Sequence, residues 1–329
     1  MNESNSFGYM IEKKKFCHVI TLSHITSDNR KKPIIIKIAP ELGSNLFSIR
    51  YGNDDIIYTD PQTLENRGFT GTYVLFPTPN RVRDFIYTWK NKHYMLQKDG
   101  KKVTIHHQLV FDQIFQFLKP VIHERYISFK TYIKIDNKSS LFKGFPFPCT
   151  LTLEYRLYSN RIRIIYSVIN QGNEELPYGF GLHPHFQRIS GNDNTLVNVA
   201  ANVIMENEGT SMLPNGKLIP VNHTPCDLRS PKPLTDLVLD HVYTNLIARK
   251  NACIDYTTIR LRIILSASAD FTHIVVYTGH PNAVCIENQT CSTDAHNMWT
   301  KGYKKESHLL IVKPKQANTG FIDYEFQPY

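Results

Sequence analysis

An all-β chain, organised as a sandwich or barrel of antiparallel strands, is what this sequence of 329 residues predicts. Two observations carry that expectation. Strict alternation, clearest in Thr150-Leu151-Thr152-Leu153-Glu154-Tyr155-Arg156-Leu157, is the period-two pattern of a strand with one buried face, and no segment shows a convincing helical period. Turn-forming Ser, Thr, Gly and Pro residues recur every ten or so positions, the spacing of a sheet protein.

The elements follow in order. After a polar tail over about residues 1–15, strand-like runs occur at Val19–Leu22, Pro33–Ala39 and Leu46–Gly52, separated by turn chemistry at Pro40-Glu41-Leu42-Gly43 and Gly52-Asn53-Asp54-Asp55. Two prolines in Leu75-Phe76-Pro77-Thr78-Pro79-Asn80-Arg81-Val82-Arg83-Asp84 force an extended loop. A hairpin pattern over Phe85–Trp89 and Asn91–Tyr94 leads through Lys98-Asp99-Gly100 into a run over Val103–His107. Further strands are expected at Tyr126–Ile135, Cys149–Leu157, Arg161–Ile169, Pro177–Gln187, Leu196–Ile204, Thr258–Leu265, Phe271–Thr278 and Ala283–Glu287, with Pro220–Pro233 irregular and Leu237–Tyr243 returning toward order. Composition does not shift along the chain, no repeat is evident and no low-complexity linker divides it, so residues 1–329 read as one domain.

Composition excludes several classes. Thirty-eight basic against twenty-nine acidic residues give a formal charge of +9, but the basic residues are scattered, with Lys13-Lys14-Lys15 and Arg30-Lys31-Lys32 the densest runs. Without a zinc finger, an RRM signature or a basic helix, no nucleic-acid partner is expected. The six cysteines, at 17, 149, 226, 253, 285 and 291, lack CxxC spacing and read as free thiols of a cytoplasmic protein. No leader-like apolar region and no run of about 18 apolar residues is found, so no membrane partner is expected, and the glycosylation tripeptide at Asn137 is not expected to be used.

The chemistry-bearing residues are few. His183 and His185 sit among apolar neighbours, and a partly buried imidazole needs a partner or a reaction. Two residues apart on a strand, they share a face and could ligate a metal, but catalytic zinc sites typically use three protein ligands and no carboxylate or third imidazole stands at a matching spacing. No metal is therefore expected. His106 and His107, adjacent on an expected strand, would point to opposite faces, so at most one lines a site. Glu287 ends an apolar β run, where an unpartnered carboxylate is expensive, and is the best single candidate for a base. Arg81 and Arg83 offer planar donor forks on the proline loop.

Four blocks, in order, resemble the aldose 1-epimerase (mutarotase) family: Leu75-Phe76-Pro77-Thr78-Pro79-Asn80-Arg81-Val82, Ile105-His106, Gly179-Phe180-Gly181-Leu182-His183-Pro184-His185-Phe186, and Cys285-Ile286-Glu287-Asn288-Gln289-Thr290-Cys291-Ser292-Thr293-Asp294-Ala295. A fifth, Leu239-Asp240-His241-Val242-Tyr243, is less distinctive. The resemblance extends from about Ile34 to Tyr324. It implies a large twisted antiparallel β-sandwich and a cytoplasmic isomerase, monomeric or homodimeric, that interconverts the anomers of a free aldose without a cofactor. By the same resemblance Glu287 is the base and His183 the acid, while Arg81, His106, Asp240, Asn80 and His185 are substrate-binding positions, His185 standing where Tyr is usual.

The sequence departs from the family pattern at His107, where Gly is common, at Asn288, where Pro often follows the glutamate, and at His296, where an aromatic is common. His107 and His296 are expected to narrow or re-polarise the sugar pocket. Two alternatives remain: an epimerase of a hexose 6-phosphate, suggested by the net charge and by Arg81 and Arg83, and a non-catalytic carbohydrate-binding protein on the same fold. The Pro-Thr-Pro-Asn-Arg block resembles enzymes of unphosphorylated sugars, and retention of both proton-transfer residues speaks for catalysis.

Overall fold

The structure, a computed structural model, describes residues 5–26, 32–104, 106–107, 109–235, 237–247 and 252–329. Ile105 of the second family-like block, and Arg30 and Lys31 of the basic run, lie outside the described residues.

Two large antiparallel sheets dominate. The ten-stranded sheet is built on Ile127–Ile135, Cys149–Leu157, Arg161–Asn170, Ala317–Pro328, Leu261–Ala267, Ala252–Tyr256 and Thr195–Val199 as successive neighbours, with short strands at both edges. The alternation read in the sequence is its cause: Leu151, Leu153, Tyr155 and Leu157 are buried, and they lie opposite the buried Val168, Tyr166, Ile164 and Ile162. The seven-stranded sheet runs Pro214–Pro220, Ala201–Asn207, Asp240–Leu246, His273–Tyr277, Ala283–Gln289, Gly181–Gln187 and Thr72–Leu75. Phe186 of this sheet meets Tyr324 of the larger one at 5.6 Å between ring centroids, and Tyr166 stacks on Phe180 at 4.2 Å, so the two sheets share a core. The largest buried apolar cluster draws on residues from Ile20 to Phe326.

Four expectations need correction. The stretch expected as a polar tail is the strand Asn5–Lys13, paired with His18–Thr26 at the edge of a five-stranded sheet. An edge strand needs little burial to form, and here Phe7 alone packs against the main core, its ring 5.0 Å from His24. The run Leu196–Ile204 is two strands on two different sheets, broken at Ala200. The pair of small residues, Ala200-Ala201, leaves room for that crossing without any turn residue to announce it. His106 and His107 lie in a turn, with His107 at φ 65°, so the opposite-face rule for a strand does not apply to them. The strand of Thr258–Leu265 begins later, at Leu261, after a 3-10 turn and a left-handed Arg260.

The described helices, Pro61–Glu65, Gly191–Asn194, Ala295–Thr300 and Lys304–Ser307, have six residues or fewer. No helix among the described residues is long and apolar enough to cross a membrane. All six cysteines are free.

Candidate active site

Residues directly opposite one another on neighbouring strands share a face of the sheet, and so do residues two apart on one strand. On the seven-stranded sheet these rules assemble the site. Leu182, Val74, Val284 and Ile286 belong to the main core, together with Phe186. The alternate positions face away from it in two adjacent rows. One row reads Asp240, Tyr277, Cys285, His185; the next reads Val242, Val275, Glu287, His183, Tyr73. His183 and Glu287 therefore fall opposite each other, with His185 and Cys285 opposite each other one step along.

This second face is covered as well. Phe69, His107 and Phe111 pack around Tyr73, and Met298 joins Met205, Val242 and Val275 in a small apolar cluster. With both faces buried, Ala283–Gln289 has no exposed position, and Glu287 sits two residues inside the strand rather than at its end.

The pair itself is tight. His183 Nε2 lies 3.1 Å from Glu287 Oε1, with the residues 8% and 1% exposed. Gln289 Nε2 donates to the other carboxylate oxygen, Oε2, at 2.9 Å. Tyr73 stacks on the His183 ring at 4.5 Å and His185 on its other neighbour side at 5.0 Å, while His107 meets it edge-on at 5.5 Å. Burial, and then the nearby His185 and His107, hold the His183 imidazole well below its ordinary pKa. Burial pushes the Glu287 carboxyl well above its ordinary value, against the opposing pull of the Gln289 hydrogen bond. Both shifts favour uncharged groups, so the pair holds one proton between its members and the neutral form is the resting one. Transfer of that proton from Oε1 to Nε2 gives carboxylate and imidazolium with no change in net charge.

Around the pair stand the remaining expected residues. Arg81 and Asp240 approach within 3.8 Å, both partly exposed, and an open depression of about 490 Å³ lined by Met205, Asn207, Asp240, His241 and Tyr277 lies at that end of the first row. Burial raises the Asp240 carboxyl, and Arg81 opposes the rise. Half-buried His106 stacks over Phe85 at 5.4 Å, and burial followed by the Arg81 charge lowers its pKa. The Asn80 backbone N–H donates to His107 Nδ1 at 3.2 Å, which leaves Nε2 to carry the proton. Both histidines of the 106–107 turn thus reach the site, His106 beside Arg81 and His107 against His183. His185 donates from Nδ1 to the Gly71 carbonyl at 3.0 Å.

The proline loop is held from two sides. The Gly179 amide donates to the Pro77 carbonyl at 2.7 Å, and a Cβ at Gly179 would collide with Cys291 Sγ and come 2.7 Å from Pro79 Cδ, so glycine is required for the loop to lie this close. On the other side the Asp294 amide donates to the Arg81 carbonyl at 2.9 Å, and Asp294 Oδ1 accepts from the Arg83 amide at 3.1 Å. Arg83 is committed elsewhere, to Glu208 at 2.8 Å.

Several functional neighbours escaped the sequence reading. Gln289 stands two residues beyond Glu287, and the period-two rule could have placed it on the same face. Tyr73 and Asp294 are joined to the site only by sheet register and loop docking, which no local pattern encodes. Cys285, a donor type the expectation of no metal did not weigh, completes a set of three: one donor atom each of His183, His185 and Cys285 all lie within 4.8 Å of one another. Two of the departures from the family pattern are turned away from the pair: Asn288 points to the opposite face from Glu287, and His296 packs on Tyr87 with Nε2 at 3.3 Å from the Pro177 carbonyl.

The family profile described as Aldose 1-epimerase matches residues 36–322. Among solved structures, a galactose mutarotase-like protein from Clostridium acetobutylicum superposes with a TM-score of 0.82 at 18% identity, covering 98% of this chain and 99% of that one. A galactose 1-epimerase from Lactobacillus acidophilus gives 0.75 at 14% identity with 99% of each chain covered. The GalM/aldose epimerase homologue from C. elegans gives 0.72 at 14% identity, with coverage of 98% and 99%. At such identities the likeness is one of fold: a galactose mutarotase-like antiparallel β-sandwich.

Proposed function

The chain belongs to the aldose 1-epimerase family, and from that premise we propose that it interconverts the α and β anomers of a free aldose, with Glu287 as base and His183 as acid. The observation that carries the reading is the buried, face-to-face contact of these two groups at 3.1 Å. Glu287 takes the proton of the C1 hydroxyl while His183 delivers a proton to the ring oxygen; the bond between C1 and the ring oxygen breaks and an open-chain aldehyde results. Rotation about C1–C2 presents the other carbonyl face, and return of both protons closes the ring on the opposite anomer. The ionised form this requires is one internal proton transfer from the neutral pair, so no proton need come from solvent.

The surroundings suit a neutral, hydroxyl-rich ligand. Arg81 and Asp240, at the open end, offer donors and acceptors to sugar hydroxyls, as do His106 on Phe85, Asn80 beside His107, and His185 against His183. Both loop arginines already face carboxylates, Arg81 facing Asp240 and Arg83 facing Glu208, which speaks against a phosphate as their ligand. A second acid–base partner in contact is more than a passive sugar-binding site needs.

The test is polarimetry, or NMR exchange between C1 signals, on freshly dissolved glucose, galactose, xylose, arabinose and glucose 6-phosphate. Purified protein speeds equilibration of at least one unphosphorylated sugar, and Glu287→Gln and His183→Asn each lower that rate by about 10²- to 10⁴-fold while the protein still folds. Unchanged rates in both folded variants would sink the assignment, and a preference for the phosphate ester would transfer it to the alternative reading.

A further inference from the structure

The two-by-two block formed by His183, Glu287, His185 and Cys285 has more donors than proton transfer needs. We propose that His183, His185 and Cys285 form a zinc-binding site, and that zinc held there stops the acid–base pair from working. The binding claim stands on geometry alone; the inhibition claim rests on the epimerase reading.

Three features support it. The donor atoms of the three residues lie within 4.8 Å of one another, and all three residues are buried. A tetrahedral zinc centre separates N and S donors by about 3.4–3.6 Å, so closing the set asks for side-chain shifts of about 1 Å. Each histidine has a nitrogen to give. His185 uses Nδ1 on the Gly71 carbonyl, which fixes the ring and leaves Nε2 as the lone-pair nitrogen, the outer-shell arrangement usual for a metal-bound histidine. His183 Nδ1 is buried and has no hydrogen-bond partner, while its Nε2 faces Glu287. Charge also balances: a Cys285 thiolate and the Glu287 carboxylate beside it match a divalent cation in a place where an unmatched charge would be costly. Nitrogen and thiolate donors select zinc over magnesium or calcium.

Occupancy has a direct chemical consequence. Coordination of either ring nitrogen of His183 prevents it from becoming the imidazolium that protonates the ring oxygen. Binding displaces two protons to solvent, one from the Cys285 thiol and one from the Glu287 carboxyl, and no oxidant or reductant takes part.

The site is tested with chelator-treated full-length protein titrated with Co²⁺ as the spectroscopic probe. A thiolate-to-cobalt charge-transfer band should grow to one equivalent and vanish when one equivalent of Zn²⁺ displaces the cobalt, with Mg²⁺ having no effect. Cys285→Ala should abolish the band and His185→Phe should weaken cobalt binding about tenfold or more. Cys285→Ser, nearly the same size and unable to give a thiolate band, decides the matter should the alanine variant fail to fold. Absence of a band in the wild type, or a band that survives both Cys285 substitutions, overturns the site. In the anomer-exchange assay Zn²⁺ should lower the wild-type rate about tenfold or more, whereas Cys285→Ser should keep most of its own metal-free rate. Zinc bound at the site with the rate untouched overturns the inhibition. A protein with no epimerase activity leaves the cobalt result fully readable, so the two readings fail separately.

Discussion

Burial, and then the Asp240 charge, raise the Glu287 carboxyl well above its ordinary value, and the Gln289 amide at 2.9 Å opposes that rise by favouring the ionised form. A hydrogen bond to a charged group is worth about 1.5–3 kcal/mol, so removing this donor makes the carboxylate rarer by about ten- to a hundredfold. Gln289→Leu should therefore lower kcat for anomer exchange by about that factor, with KM moved much less and the thermal midpoint little changed. A kcat within twofold of wild type, measured on folded protein, would show that Gln289 does not hold Glu287 in its working state. That Glu287 and His183 are special was readable from residue type, since a carboxylate and an imidazole in apolar runs demand an explanation. Their mutual contact was not, because the 103 positions between them carry no local signal of sheet register.

At the scale of elements, the site depends on how the strand Gly181–Gln187 lies between Thr72–Leu75 and Ala283–Gln289, and on the proline loop docked against its entry. Gly179 is the seam of that docking. Gly179→Ala places a methyl group against Cys291 and Pro79, and overpacking of this kind costs about 1–3 kcal/mol. Urea denaturation should report that loss. Anomer exchange should fall by a larger factor in the same variant, because the loop that moves carries Asn80 and Arg81; a variant with full stability and full activity would refute the docking argument. The strands around the site differ in how well the sequence announced them. Cys149–Leu157 alternates because only one of its faces is in the core, whereas Ala283–Gln289 does not alternate because both faces are buried, so its true end at Gln289 was hidden.

The whole molecule buries histidines freely. His273 and His107 are held down to about 3 and His296 to about 4, each chiefly by burial, against an ordinary value near 6.5. The sign follows from proton binding: below pH 6.5 the unfolded chain takes up these protons and the folded one does not, so stability is complete above that pH and declines as pH falls toward 4. Each such group contributes a slope of up to about 1.4 kcal/mol per pH unit. The thermal midpoint of metal-free protein should drop steadily between pH 6.5 and pH 4.5, and the decline should be shallower in a folded His273→Gln variant. A midpoint that is flat over this range would mean that the folded protein binds these protons too.

What the sequence determined by itself was the class of fold and which chemistry-bearing residues stand among apolar neighbours. Alternation and turn spacing follow from the chemistry of single strands, and a buried Glu or His stands out wherever it occurs. Tertiary structure alone decided which of these residues meet. Register between Gly181–Gln187 and Ala283–Gln289 set His183 against Glu287 and His185 against Cys285, and loop docking brought His107 and Arg81 to the same place. Pairing energy between strands is summed over many side chains far apart in the chain, so no short stretch of sequence records its outcome.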